Sequence, residues 1–216
     1  MTETLEQAKT YQQLIGGAWV DAASGETMDV VNPANDQVIA RVPRSGAEDV
    51  DRAVRAAATA FETWSQTTPQ DRSLALLKLA DAIESRSDEI GRLEGRNTGK
   101  PTQVAIDEKA VVVDLFRFFA GACRQMEGKA VAEYIAGRTT MLRRDPIGVV
   151  ASIAPWNYPL YMAAWKLGPA LATGNTCVLK PSARTPLSAL LFGELVSEHL
   201  PPGVVNVLSG AGAEVG

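Results

Sequence analysis

From residue 147 onward the chain alternates between two kinds of segment. Short apolar runs at 147–154, 177–182 and 204–208 are separated by 160–173 and 187–199, each long and apolar enough for a helix. Strand, helix, strand, helix, strand is the order of a parallel α/β sheet wound by crossover helices. We therefore expect the α/β class, with three strands of such a sheet present. Polar and glycine-bearing residues gather at the carboxyl ends of the three runs, the edge at which open α/β sheets bind ligands.

Two signals on that edge carry chemistry. The first run passes into Pro155-Trp156-Asn157-Tyr158-Pro159. Each proline fixes its own φ and biases the residue before it to extended geometry, so the turn has little freedom. An amide on such a turn is a donor aimed in advance, as stabilising a developing oxyanion requires. Asparagine also commonly does no more than close its own turn. The second run ends in Lys180-Pro181-Ser182, so that Asn157 and Lys180 fall on one rim, which favours the donor reading. After the third run, Gly210 to Gly216 reads G-x-G-x-x-x-G; glycines permit a tight turn and close backbone approach, although the motif is weak by itself.

The run from Arg143 to Val150, continued by Pro155-Trp156-Asn157-Tyr158-Pro159, Trp165-Lys166, Gly174-Asn175-Thr176, Leu179-Lys180-Pro181-Ser182 and Pro201-Pro202-Gly203-Val204-Val205-Asn206-Val207, resembles the NAD(P)-dependent aldehyde dehydrogenase superfamily. Within it, Leu115-Phe116-Arg117-Phe118-Phe119-Ala120-Gly121 and the run from Ser152 to Tyr158 are most similar to the γ-aminobutyraldehyde and betaine aldehyde dehydrogenases. The likeness covers nearly the whole chain from about Leu14 onward and implies an aldehyde-dehydrogenase-like fold with an incomplete Rossmann-type parallel sheet, preceded by a strand-rich arm and a helical block.

The resemblance also implies roles. Such enzymes oxidise an aldehyde through a cysteine thiohemiacetal, pass a hydride to NAD or NADP, and hydrolyse the thioester. Asn157 matches the amide that helps hold the oxyanion. Ile153, Ala154, Pro155 and Trp156 match contacts to the dinucleotide. Lys180 matches the lysine on the adenosine ribose, with Pro181, Ser182 and Ala183 shaping its loop, and Gly212 and Gly216 match the glycine segment before the next cofactor-flanking helix, which is expected to have no residues before the chain ends at Gly216. Lys166 matches a lysine described as part of a charge relay; an exposed cation on an amphipathic helix is the competing reading.

One position departs from the family. Where a glutamate often accepts from the ribose 2′-hydroxyl, this chain has Ala183 followed by Arg184. A carboxylate there disfavours a 2′-phosphate and a nearby arginine can accommodate one, so tolerance of NADP, or weaker binding of NAD than in the relatives, is expected; the competing reading is that Arg184 faces solvent and plays no part. The family's nucleophilic cysteine and general-base glutamate fall in blocks beyond Gly216. Cys123, in a helix-like run, and Cys177, at the start of an apolar strand, read as small buried hydrophobes. His199 sits at a helix end, where a cation suits the dipole, with no cysteine or serine partner in a family motif. The chain alone is therefore expected not to turn over aldehyde, and to be either the amino-terminal part of such an enzyme or a non-catalytic remnant that binds nucleotide or a partner.

Composition narrows the setting. A hydrophobic content of 46% suffices for a core, and a net charge of −4 gives no basic footprint for nucleic acid. Two cysteines in 216 residues argue for a reducing compartment, read here as the cytoplasm. The acidic residues 1–6 do not resemble a signal peptide, and no run reaches the ~18 apolar residues of a membrane span. The expected partners are a small aldehyde and further copies of the full-length enzyme, with no membrane and no metal.

Upstream, residues 1–45 read as a strand-and-loop arm, with turns at Ser24-Gly25 and Asn32-Pro33-Ala34-Asn35. Residues 46–129 read as a helical block. Ser45 with Glu48 suggests a capping box, followed by an apolar stripe of Val50, Ala53, Val54, Ala57 and Phe61. Thr68, Pro69 and Asp71 open a second helix with Leu74, Leu77, Ala80 and Ile83 as its apolar face. Residues 130–145 read as an exposed hairpin that the resemblance makes an oligomerisation element, and 146–216 as a partial dinucleotide-binding domain. A sheet left with an open edge is expected to associate or dissolve poorly.

Overall fold

The computed structural model describes residues 8–129 and 131–216; the acidic start and Ala130, where the hairpin was expected to begin, lie outside them. The first elements are the strands β1 (Lys9–Thr10), β2 (Gln13–Ile15), β3 (Ala18–Val20), β4 (Thr27–Asn32) and β5 (Gln37–Pro43). Four helices follow: α1 (Ala47–Trp64), α2 (Pro69–Ser85), α3 (Ser87–Thr98) and α4 (Thr102–Ala122). Then come β6 (Ala132–Ile135), β7 (Arg138–Thr140), β8 (Val149–Ile153), α5 (Pro159–Ala172), β9 (Thr176–Lys180), α6 (Leu187–His199), β10 (Val205–Val207) and α7 (Gly212–Val215). The protein is thus of the α/β class, as the alternation implied.

Strands β8, β9 and β10 run parallel, with Val150 opposite Cys177 and Val205 opposite Cys177 on the other side. Every residue of the central strand β9 is buried, as a strand flanked on both sides and covered on both faces must be. The first strand starts two residues later than its apolar run. Gly148 has φ +122°, and the N–H groups of Ile147 and Gly148 both donate to Asn175 Oδ1 instead of a ladder partner (2.7 and 3.1 Å).

The first 45 residues do not stay together as one arm. Gly16 and Gly17, at φ +62° and +82°, make the two-residue turn that joins β2 to β3, a conformation glycine adopts without a Cβ penalty. That hairpin extends the parallel sheet antiparallel to β10, giving the order β3-β2-β10-β9-β8. Buried Asn206 fastens it, accepting from Gly16 N at 2.8 Å and donating to Gly203 O at 2.9 Å. The remaining strands form a separate sheet in the order β1-β5-β4. β6 and β7 form the expected exposed hairpin.

In the helical block Thr68 caps α2 as expected: Asp71 N donates to Thr68 Oγ1 and Thr68 N to Asp71 Oδ2, both at 3.2 Å. At α1 the cap is shifted by one residue. Gly46 N donates to Asp49 Oδ2 at 3.1 Å, while the Ser45 hydroxyl is taken by the buried Gln13 amide oxygen. The buried faces also differ from the expected stripes. α1 buries Ala53, Ala57, Ala60 and Trp64 and leaves Val54 exposed. α2 buries Leu76, Leu79, Ala80 and Ile83, with Leu74 and Leu77 exposed. Arg72 sets that rotation, because its Nε donates to Ala172 O at 2.9 Å and so turns its own side of α2 inward. One apolar cluster joins these helices to the sheet, with Phe116 of α4 stacked on Phe192 of α6. No helix among the described residues is long and apolar enough to cross a membrane.

Candidate functional site

At the carboxyl edge of the sheet the backbone continues pairing for one residue past β8, as Ala154 N donates to Lys180 O at 3.0 Å. The chain then turns through Pro155 and Trp156 into α5, with Pro159 at the first helical position, where a missing N–H costs nothing. Asn157 lies on this turn, exposed, and its side chain forms no hydrogen bond among the described residues. The reason is covalent as much as spatial. An asparagine that closes its own turn accepts from the N–H two residues on, and that residue is Pro159, which has none. The next N–H, of Leu160, is already given to Glu94 Oε2 at 3.2 Å. The amide is left free beside the positive end of a 14-residue helix, so it can donate to an incoming anion.

Lys180 ends β9 on the same rim. Lys180 is buried and its ammonium donates to Pro181 O at 3.2 Å, with no ion pair to a carboxylate among the described residues. Burial accordingly lowers its pKa from the usual 10.5. A buried ammonium with a single protein acceptor has donors to spare for hydroxyls, which is what a ribose presents. The following loop is internally braced: Thr185 N donates to Ser182 O, and Arg184 N to Ser182 Oγ. Ala183 is half-buried, and the Arg184 side chain is exposed with no ion pair among the described residues.

The two halves of the rim are tied together. Thr185 Oγ1 donates to Trp156 O at 3.2 Å, and Asn97 of α3 holds the loop from beneath through Arg184 O (3.0 Å) and Leu187 N (3.2 Å). Ile153 and Trp156 remain more than half exposed on this edge. Gly210 to Gly216 leaves at the same edge, since Leu208 N donates to Leu179 O. Gly212 opens the single turn α7, so one helical turn is present where none was expected. Gly216 closes it by donating to Gly212 O at 3.0 Å, and α7 is anchored by Glu214 to Arg44.

Lys166 is not part of this gathering. It sits about 10 Å along the α5 axis from Pro159 at 1.5 Å per residue, half-buried and without an ion pair among the described residues. An aromatic series starts at the N-cap residue Tyr158 and continues along α5, Tyr158 to Tyr161 (5.9 Å) and Tyr161 to Trp165 (6.4 Å), reaching Phe119 of α4 (6.3 Å), all edge-to-face.

Both cysteines are free thiols and buried. Burial pushes the Cys177 thiol up to about 12 and raises Cys123, whose Sγ donates to Ala172 O. His199 ends α6 with the Glu198 carboxylate 4.0 Å from its ring. No cluster of metal-ligating side chains occurs among the described residues.

The sequence reading missed the residues beneath the turn. Glu94 and Lys109 are both fully buried and paired at 2.6 Å. Lys100 bonds Glu108 at 2.6 Å and lies 4.5 Å over the Tyr158 ring. The available signal was Glu94 and Asn97 at i and i+3 on a helix whose other buried positions are Ile90, Gly91 and Gly95.

Comparison with known proteins gives a consistent picture. Residues 19–216 match the profile described as the aldehyde dehydrogenase family. The chain is 43% identical over all 216 residues to an aldehyde dehydrogenase of Vibrio cholerae and 47% identical over 205 residues to a mitochondrial aldehyde dehydrogenase of Leishmania tarentolae, covering 42% and 41% of their lengths. It superposes on the NAD+ complex of a Bacillus cereus aldehyde dehydrogenase with a TM-score of 0.92 at 41% identity, covering 96% of this chain and 43% of that one. A Staphylococcus aureus betaine aldehyde dehydrogenase solved with NAD+ gives 0.91 at 39% identity, with 94% and 41% covered. The chain therefore spans a little over two-fifths of the relatives it matches.

Proposed function

The chain belongs to the aldehyde dehydrogenase family, and from that premise we propose that it is the amino-terminal, cofactor-binding part of an NAD(P)-dependent enzyme oxidising an aldehyde to a carboxylic acid. The observation that carries this reading is the free Asn157 amide, held on a proline-bounded turn on one rim with buried Lys180. Asn157 donates to the oxygen of the aldehyde as it becomes an oxyanion; loss of one such donor costs ~10²–10³ in rate. Lys180 gives its spare donors to ribose hydroxyls, and Ile153, Ala154, Pro155 and Trp156 form the wall along which the dinucleotide lies, with Pro181, Ser182 and Ala183 bounding its ribose and Gly212 and Gly216 near its phosphates. When bound, the dinucleotide supplies the hydride acceptor. Cys123 and Cys177 are both buried, so neither is assigned the nucleophile's part, and the chain is read as binding cofactor without turning over by itself.

Two finer assignments follow. With Ala183 where an acidic residue would stand, no carboxylate at that position repels a 2′-phosphate, so the pocket accepts NADP as well as NAD even though the exposed Arg184 side chain faces solvent here. With the Tyr158 face already occupied by Lys100, the exposed Trp165 ring packed against Tyr161 favours a cationic substrate, in keeping with an aminoaldehyde, because ring faces attract ammonium groups. Lys166, the next residue, is the candidate for proton relay. The hairpin of β6 and β7 is assigned to pairing with another copy of the full-length enzyme, in the cytoplasm.

Calorimetric titration of NAD+ and NADP+ into the chain tests the reading. Binding of both is expected, weakened at least tenfold by Lys180→Met. If neither dinucleotide binds, the cofactor assignment is wrong. If NAD+ alone binds, the Ala183 argument fails.

A further inference from the structure

A carboxylate with no exposure is an expensive thing to bury, and Glu94 is buried directly under the Asn157 turn. Its two oxygens have different tasks. Oε1 accepts from Lys109 Nζ at 2.6 Å, a contact that neutralises the charge. Oε2 accepts from Leu160 N at 3.2 Å, three residues after Asn157. Lys100 stands 3.8 Å from Oε1, bonds Glu108 at 2.6 Å, and lies over the ring of Tyr158, the residue next to Asn157. Two lysines and two glutamates thus form a neutral cluster that touches the turn at Tyr158 and at Leu160.

Such a cluster does not follow from stability. Replacing a buried ion pair with apolar side chains of similar size is often neutral or better for a fold. What the pair supplies here is an acceptor at one place. The first N–H groups of a helix have no partner within it, and Pro159 removes one of them. The Leu160 N–H is the first that can be gripped from outside, and gripping it fixes the direction in which α5 leaves the turn. A shift of about 1 Å in such a group is enough to cost ~10²-fold in an enzyme.

We propose that Glu94 is a positioning residue: acting through the Leu160 N–H, and supported by Lys109 and Lys100, it sets the backbone on which the Asn157 amide is presented. The role assigned to that amide rests on the function proposed above; the positioning itself does not.

The experiment uses the ¹⁵N-labelled 216-residue chain without cofactor, so loss of dinucleotide binding and loss of positioning are read separately. In the unsubstituted chain the Leu160 amide exchanges with solvent at least tenfold more slowly than an unprotected amide. Glu94→Gln with Lys109→Met keeps an acceptor and no charge, and preserves both that protection and the Asn157 side-chain amide signals. Glu94→Leu with Lys109→Met removes the acceptor; Leu160 exchange accelerates at least tenfold and the Asn157 side-chain signals shift or broaden, while amides of β4 and β5 are unaffected. The proposal is overturned if Leu160 is unprotected in the unsubstituted chain, or if the two double variants behave alike. Should the leucine variant not fold, Glu94→Met with Lys109→Met, which removes the acceptor at closer side-chain volume, takes its place; Leu160 exchange is again expected to accelerate at least tenfold with the Asn157 side-chain signals moved, and unchanged exchange or unchanged signals overturn the proposal.

Discussion

The Thr185 hydroxyl donates to the Trp156 carbonyl across 3.2 Å, joining the loop that follows β9 to the turn that follows β8. Both segments hang from parallel neighbours, yet neither strand extends far enough to hold them in register. This bond makes one rim of two independent loops. Thr185→Val keeps the shape and removes the donor. A loss of about 1 kcal/mol in urea unfolding is expected, the usual worth of one such bond, together with weaker NAD+ binding by titration. Unchanged affinity would show that the two loops need no tie.

The Glu94–Lys109 pair should give an uneven mutational cycle. Lys109→Met alone strands a buried carboxylate and is expected to cost about 3–5 kcal/mol. Adding Glu94→Gln should recover most of that loss, because the charge goes with its partner. Chemical denaturation of the three variants measures it; costs that simply add would mean the two side chains do not interact.

Lys180 pays for its place on the rim in a pH-dependent way. Burial lowers its pKa below the usual 10.5, so between the folded-state value and 10.5 the unfolded chain holds more protons than the folded one. Stability contributed at this site therefore rises with pH across that window. Lys180→Met should stabilise the cofactor-free chain at neutral pH, with a gain that shrinks as pH climbs toward 10.5, and should weaken dinucleotide binding. Melting temperatures across pH check the first part; a pH-independent gain would contradict it.

Helices α3 and α4 touch through a glycine. A Cβ built on Gly91 would lie 2.6 Å from the Ile106 Cα, a backbone atom that cannot step aside. Gly91→Ala is expected to cost about 1–3 kcal/mol by overpacking, although alanine is the better helix former. A stabilised variant would mean the two helices separate freely.

Among the described residues the outer strand β8 has no partner on one side, and Ile153 at its end and Trp156 just beyond are exposed. Unpaired strand edges with apolar surface recruit further strands. Size-exclusion chromatography of the isolated chain is expected to show concentration-dependent association. A monodisperse monomer at high concentration would count against it.

Much of the sheet and of the rim was legible because its signals are local. Prolines and glycines bracket each apolar run, and Asn157 stands between two prolines that remove its alternatives, so neighbours in sequence are enough to read it. The helix faces were not legible in the same way. Leu74 and Leu77 are as apolar as Leu76 and Leu79, and what decides between them is Arg72 reaching an oxygen 100 residues away. Glu94 was invisible for a related reason. On its own helix it looks like any solvated acid, and the lysine that neutralises it lies fifteen residues on, in a different helix. Ser45 and Glu48 fit a capping box by spacing alone, but Gln13 competes for the serine, and nothing near Ser45 in sequence announces Gln13.

Asn206 ties Gly16 to the last strand of the sheet across 190 positions. During synthesis the β2–β3 hairpin emerges early and its neighbour emerges late. At ~5–20 residues per second the wait is on the order of ten seconds or more. For that interval the hairpin has a turn but no sheet to join, and two-stranded ribbons alone are marginal in water. The β2–β3 hairpin therefore finds its sheet only when β10 arrives, so this part of the sheet assembles opposite to the order in which its strands are made.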